Sequence, residues 1–252
     1  MLKINRLTVS VDQQPILHQL DLKVKPGQTH ALMGPNGSGK STLAFALMGH
    51  PHYQVDSSSQ VVLDSVSLLN LSPDERAHEG LYLAFQYPLA IPGVSVQNAL
   101  KSAYEAIHCT GCSRHEHCPK LSVSDFRRQL TERALSLGID PVILTRSLND
   151  GFSGGEKKRL EMLTLLTLKP KYAILDETDS GLDIDSLKII AQAIQSAVKK
   201  DHLGVLLITH YRRILDYVKP DKVSVIIKGR IVKSDGPALL DAIESGGYSQ
   251  FI

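Results

Sequence analysis

Gly34-Pro35-Asn36-Gly37-Ser38-Gly39-Lys40-Ser41 constrains this chain more than any other stretch. It fills every required position of the phosphate-loop pattern G-x-x-x-x-G-K-[ST]. Thr29 to Met33 before it reads as a short buried strand. Thr42 to Met48 after it reads as a helix, with no Gly or Pro until Gly49. Strand, glycine loop and helix, in that order, make the setting in which such a loop holds phosphate. The glycines let backbone N–H groups crowd around an anion, and the helix N-terminus adds a positive dipole end. Lys40 is then placed for the β- and γ-phosphates of a nucleotide, and the Ser41 hydroxyl for Mg²⁺.

A chain of 252 residues can bury a full α/β core, as one large domain or as a core with one inserted subdomain. Its 28 basic and 26 acidic residues leave a formal charge of +2 with no basic block. That balance argues against a nucleic-acid partner, whose footprint would cluster Lys and Arg. No run approaches roughly 18 consecutive apolar residues, so direct membrane insertion is not expected. Met1 to Arg6 lacks a signal-peptide pattern, and three cysteines in such a chain point to reduced thiols and a cytoplasmic protein.

Along the chain, Leu2 to Val11 and Ile16 to Val24 alternate apolar with polar and read as edge-type strands, joined by a turn at Asp12 to Pro15. Pro51 to Gln60 reads as polar and turn-like. Val61 to Asp64, Val66 to Leu69 and Leu81 to Phe85 read as short strands, and Ser72-Pro73-Asp74-Glu75 as a helix start. From about Pro88 to Asp150 strand signals vanish. Helix-period stretches replace them at Ser95 to His108, Ser122 to Leu137 and Pro141 to Arg146, which predicts an inserted, mostly helical subdomain. Strand-type runs return at Tyr172 to Leu175, Val205 to Thr209 and Val223 to Ile227, with a helix at Ile184 to Lys200. Short unbroken apolar runs alternating with helices predict a largely parallel, doubly wound sheet.

Four more stretches carry chemistry. Ala173-Ile174-Leu175-Asp176-Glu177 is an apolar strand ending in two acids. Asp176 is placed to hold Mg²⁺ through water beside Ser41, and Glu177 to orient or deprotonate the water that attacks a γ-phosphate. Phe152-Ser153-Gly154-Gly155-Glu156 opens a helix with a capping box, Ser153 and Glu156. Its two glycines sacrifice about 1 kcal/mol each of helix propensity. That cost makes sense where an anion must approach closely, and a second anion site suggests a second copy of the chain. His210 ends the run Val205 to Thr209 on the sheet edge where such folds place ligands. Gln86, also at a strand end, offers a neutral amide to Mg²⁺ or to the attacking water.

Gly34 to Thr42, Gln86, Phe152 to Glu156, Ala173 to Glu177, Ser180 to Asp183 and His210 stand in the order of the ATPase domain of ABC proteins. The chain resembles that family over nearly its whole length, these stretches being similar to its Walker A, Q-loop, signature, Walker B, D-loop and H-loop. The resemblance implies an α/β fold with a mostly parallel P-loop sheet, an antiparallel β subdomain and an inserted helical subdomain. The whole of 1–252 would be one ABC ATPase domain, with 1–87 and 151–252 as the core and about 88–150 as the insert. It implies ATP and Mg²⁺ as ligands and a transient, ATP-dependent homodimer. Ser153 and Gly155 of one copy would then contact the γ-phosphate held by Lys40 of the other, with Gly154 also among the nucleotide-binding residues. His210 would contact the γ-phosphate, and Asp183 the opposite protomer.

The wording around the motifs is narrower. Phe85 to Pro88 with Ile91 to Val94, Gly151 to Arg159, Asp176 to Asp185 and Thr209 to Tyr217 resemble the soluble branch of the family that serves SUF iron–sulfur cluster assembly. This implies SufB- and SufD-type scaffold proteins as partners, moved by the ATP-driven closing of two copies, with the surface after Gln86 as the docking site. The ATPase subunit of a membrane ABC transporter is the alternative. The sequence departs from the family in two places. Val9-Ser10-Val11-Asp12 holds no aromatic ring where the family commonly stacks adenine, so weak base selectivity is expected. And Cys109, Cys112 and Cys118 with three His lie within His108 to Cys118, either a Zn²⁺ site or a surface loop with incidental thiols.

Overall fold

β1 (Leu2–Val11) and β2 (Gln14–Val24) pair antiparallel through a two-residue turn, Asp12-Gln13, with φ of 49° and 64°. Positive φ at both positions matches the right-handed twist of the flanking strands. The computed structural model describes residues 1–85, 88–108 and 122–251. After the hairpin come β3 (Thr29–Met33) and α1 (Lys40–Met48), then β4 (Tyr53–Val55), β5 (Gln60–Leu63), β6 (Val66–Ser67), α2 (Pro73–His78) and β7 (Leu81–Ala84). Next are β8 (Ile91–Ser95), α3 (Val96–His108), α4 (Val123–Ser136), a 3₁₀ turn at Pro141–Thr145, β9 (Ser147–Leu148) and α5 (Gly154–Leu168). The rest of the chain forms β10 (Tyr172–Asp176), α6 (Ile184–Lys200), β11 (Gly204–Ile208), α7 (Arg213–Val218), β12 (Lys222–Ile227), β13 (Arg230–Asp235) and α8 (Leu239–Gly246).

The chain divides into two units. The first comprises Met1–Gln86, Pro170–Asp179 and Gln195–Ile252; the second comprises Tyr87–Lys169 and Ser180–Ile194. The first unit holds two sheets. One is antiparallel, in the order β2-β1-β5-β6 with β4 also on β1. The other runs β13-β12-β3-β11-β10-β7, parallel except where β12 meets β13. Every residue of β3, β10 and β11 is buried, as unbroken apolar runs require of strands covered on both faces. One core joins the inner face of the antiparallel sheet (Leu2, Ile4, Leu22, Val61) to α1 (Leu43, Leu47) and the parallel sheet (Leu32, Leu206). No residue of α1 is exposed. That is why it shows no polar stripe.

Several expectations are corrected. β1 is not an edge strand, because β2 flanks it on one side and β4 and β5 on the other; its alternation marks one covered and one wetter face. β4 lies inside the stretch read as turn-like, and strand Val66–Ser67 is shorter than expected. In the second unit, β8 pairs antiparallel with β9 where no strand was expected. Pro92 and Gly93 inside β8, and its exposure, hide it from any periodicity. No helix among the described residues is long and apolar enough to cross a membrane.

Two buried polar side chains tie the first unit together. His30, in β3, is 1% exposed; its Nδ1 lies 2.9 Å from the Lys23 carbonyl and its Nε2 2.8 Å from the Ser224 hydroxyl. A carbonyl only accepts, so Nδ1 carries the proton and Nε2 accepts from Ser224, whose oxygen is 2.7 Å from that of Ser234. Arg76, in α2, is 3% exposed and donates to the carbonyls of Leu71 (2.9 Å), Ala46 (2.9 Å), Leu47 (2.7 Å) and Leu69 (3.3 Å). Ala46 and Leu47 belong to the last turn of α1, where carbonyls outnumber the helix's own donors; Ala46 also accepts from the Gly49 N–H at 3.1 Å.

Candidate active site

Backbone packing dictates the loop between β3 and α1. A Cβ on Gly34 would fall 2.2 Å from the Ile226 carbonyl oxygen, so the chain passes β12 too closely for any side chain. Gly39 has a φ of 102° and precedes α1 with no side-chain cap. Left-handed backbone there suits glycine, and the first amides of the helix stay available to a ligand. Lys40 is 5% exposed, and its ammonium donates to the carbonyls of Gly34 (2.9 Å) and Pro35 (3.0 Å). Burial lowers its pKa, opposed first by Glu177 and then by Asp176. The Ser38 hydroxyl is buried with no hydrogen-bond partner among the described residues. A buried hydroxyl so placed in a cradle of amides is a donor suited to an incoming anion.

The facing wall comes from the ends of β10 and β11. Asp176 closes β10 and is 3% exposed. Glu177 follows with a φ of 50°, its N–H donating to the Ile208 carbonyl at 2.9 Å. This left-handed residue turns the Glu177 side chain toward the loop. Its Oε1 lies 3.2 Å from Nδ1 of His210. Glu177 and His210 line one cavity of about 440 Å³ together with Asn36, Gly37, Gly39, Lys40, Ser41 and Thr42. The structure therefore brings the phosphate loop and two of the sequence-derived catalytic candidates to one place. Ser41 and the buried Asp176 supply hard oxygen donors of the kind Mg²⁺ takes.

The remaining candidates belong to the second unit or lie outside the described residues. Ser153 caps α5, accepting from the Glu156 N–H at 3.2 Å while Glu156 Oε2 accepts from the Ser153 N–H at 2.7 Å. Ser153 and Gly154 are exposed, and a Cβ on Gly154 would meet nothing within 4 Å. Asp183, at the start of α6, accepts from the Ser186 N–H at 2.7 Å, which together with the Ser186 hydroxyl lowers its pKa. All four residues, Ser153, Gly154, Gly155 and Asp183, belong to the second unit. Gln86, Cys109, Cys112 and Cys118 lie outside the described residues. Sequence reasoning gave no role to Asp179 and Thr209, whose side chains meet beside Glu177 and His210; both lie in stretches that resemble the family, but only the fold pairs them.

Ile16 also lines the cavity, a non-directional aliphatic surface. GTP is therefore expected to displace a bound ATP analogue at concentrations comparable to ATP. Competition titration checks this, and much weaker displacement by GTP would remove the inference.

The ABC transporter family matches residues 17–180. Over 248 residues the chain is 46% identical to the probable ATP-dependent transporter SufC of Escherichia coli K12, covering 98% of this chain and 97% of that protein. Over 247 residues it is 46% identical to vegetative protein 296 of Bacillus subtilis strain 168, covering 98% of this chain and 91% of that protein. The dimeric structure of MJ0796, a bacterial ABC transporter cassette, superimposes with a TM-score of 0.78 at 19% identity, over 94% of this chain and 98% of that one. The chain therefore belongs to the ABC transporter family, as an ATP-binding, ABC-type ATPase.

Proposed function

We propose that this chain is a SufC-type ATPase: one ABC domain that hydrolyses ATP to move a SufB–SufD-type scaffold during iron–sulfur cluster assembly. The observation that carries the chemistry is the Glu177–His210 pair, 3.2 Å apart and facing Lys40 across one cavity. Backbone amides from Gly34 to Thr42 hold the β- and γ-phosphates, and the Lys40 ammonium adds charge stabilisation as the phosphoryl group transfers. Mg²⁺, when bound by Ser41, Asp176 through water and Gln86, neutralises phosphate charge. Glu177 takes the proton of the attacking water, and His210 and Gln86 orient that water and the γ-phosphate.

The second anion-binding element, Ser153 with Gly154 and Gly155, completes the site from a second copy of the chain, with Asp183 at the same junction. Turnover per molecule is therefore expected to fall on dilution, as the transient dimer dissociates. A rate that stays constant to the lowest measurable concentration would overturn the two-copy site. SufC of Escherichia coli supports the scaffold assignment by its 46% identity. Relatives named only as probable ABC transporter ATP-binding proteins, 47% identical and from Streptococcus pyogenes, support the second reading, a transporter subunit. Affinity purification from the native cytoplasm and membranes separates the two: SufB- or SufD-type proteins are the expected companions, and membrane permease subunits in their place would overturn the assignment.

A further inference from the structure

The loops that follow β10 and β11 are joined by two bonds that bracket the Glu177–His210 contact. One is backbone, Glu177 N–H to the Ile208 carbonyl at 2.9 Å. The other is made by side chains: the Thr209 hydroxyl donates to both oxygens of Asp179, at 3.0 and 3.2 Å. Asp179 is 8% exposed and Thr209 fully buried. The Thr209 oxygen in turn accepts from the Tyr211 N–H at 3.0 Å, and its one proton has Asp179 as its nearest acceptor, with the Tyr211 carbonyl farther off at 3.3 Å. His210 is thus the residue between two fixed neighbours. The Tyr211 ring also packs on its imidazole, with ring centroids 3.8 Å apart. Burial raises the pKa of Asp179, while its own N–H and the Thr209 hydroxyl lower it. Buried this deeply, the carboxyl is held by the bond it accepts from Thr209.

We propose that Asp179 is a positioning residue for hydrolysis: through Thr209 it holds the His210–Tyr211 turn so that the imidazole faces Glu177 and the phosphate loop. The proposal rests on the reading of His210 given above. It differs from a merely structural role in three expected results. Asp179→Ala lowers kcat about tenfold while the KM for ATP changes little, because the phosphate loop is untouched. Asp179→Asn, which keeps an acceptor oxygen, recovers most of that loss. Thr209→Val reproduces the loss, and combining it with Asp179→Ala adds nothing further, as expected of residues in one bonded chain.

The deciding measurement is a cycle with His210→Ala, read by single-turnover kinetics on protein whose melting temperature and nucleotide affinity are checked in parallel. If Asp179 acts through His210, Asp179→Ala makes no further difference in the His210→Ala background. A full additional tenfold loss there, or an unchanged kcat in Asp179→Ala alone, overturns the proposal. Normal turnover in His210→Ala alone overturns the role assigned to His210, and Asp179 falls with it.

Discussion

Glu177→Gln is expected to bind ATP as the parent chain does and to hydrolyse it about 10²–10⁴-fold more slowly. The substitution keeps the length and shape of the side chain, so packing beside His210 and the bond from the residue 177 N–H to Ile208 survive. It removes the carboxylate in the cavity that is assigned the proton of the attacking water. It also removes a negative charge that acts on Lys40; triphosphate affinity is therefore expected to hold or rise. With hydrolysis blocked, the proposed two-copy state is expected to persist in ATP, so gel filtration with ATP should show a dimer that the parent chain would form only briefly. Equilibrium nucleotide binding and single-turnover assays check the first expectation. A variant that hydrolyses ATP at the parent rate removes Glu177 from the chemistry.

The second large effect concerns stability in acid. Burial, the dominant cause, pushes the His30 imidazole from 6.5 down to about 4. The unfolded chain therefore binds a proton at this residue in a pH range where the folded chain does not. Stability from this group is present in full above pH 6.5 and is lost as pH falls toward 4. A shift of this size corresponds to about 3 kcal/mol over that window. Protonation also turns Nε2 from acceptor to donor, which faces the Ser224 hydroxyl with the wrong polarity until Ser224 rotates away from it. His30→Gln is expected to be less stable at neutral pH and to lose most of this slope. Urea unfolding at a series of pH values checks it: parent and variant curves that stay parallel from about pH 6.5 to 4.5 would overturn the assignment.

The candidate site was legible in the sequence as far as its constraints are local. Gly34 to Ser41 specify a loop by spacing, and the apolar runs ending at Asp176 and at Thr209 specify strands whose ends must share an edge once the sheet is parallel. The fold was legible wherever burial is complete, as in β3, β10 and β11. It was obscure where strands are exposed. β13 carries Arg230, Lys233 and Asp235 along an open edge, and β8 interrupts itself with Pro92 and Gly93. The polar residues that tie the site together escaped for a different reason. Asp179 meets Thr209 across 30 positions, His30 meets Ser224 across 194, and nothing local at either end signals the other.

Arg76 shows what such a long-range tie does for the molecule. Its guanidinium is buried with four carbonyl partners and, among the described residues, no carboxylate, and burial lowers its pKa. The electronegative tail of α1 is thereby neutralised by a permanent cation, while its head is left electropositive for phosphate. The short rod between them becomes a polarised strut with one end pinned and the other bare. A lysine has the charge but not the planar fork needed to serve separate carbonyls at once. The nine residues of α1 are thus held at their C-terminal end by an arginine from α2.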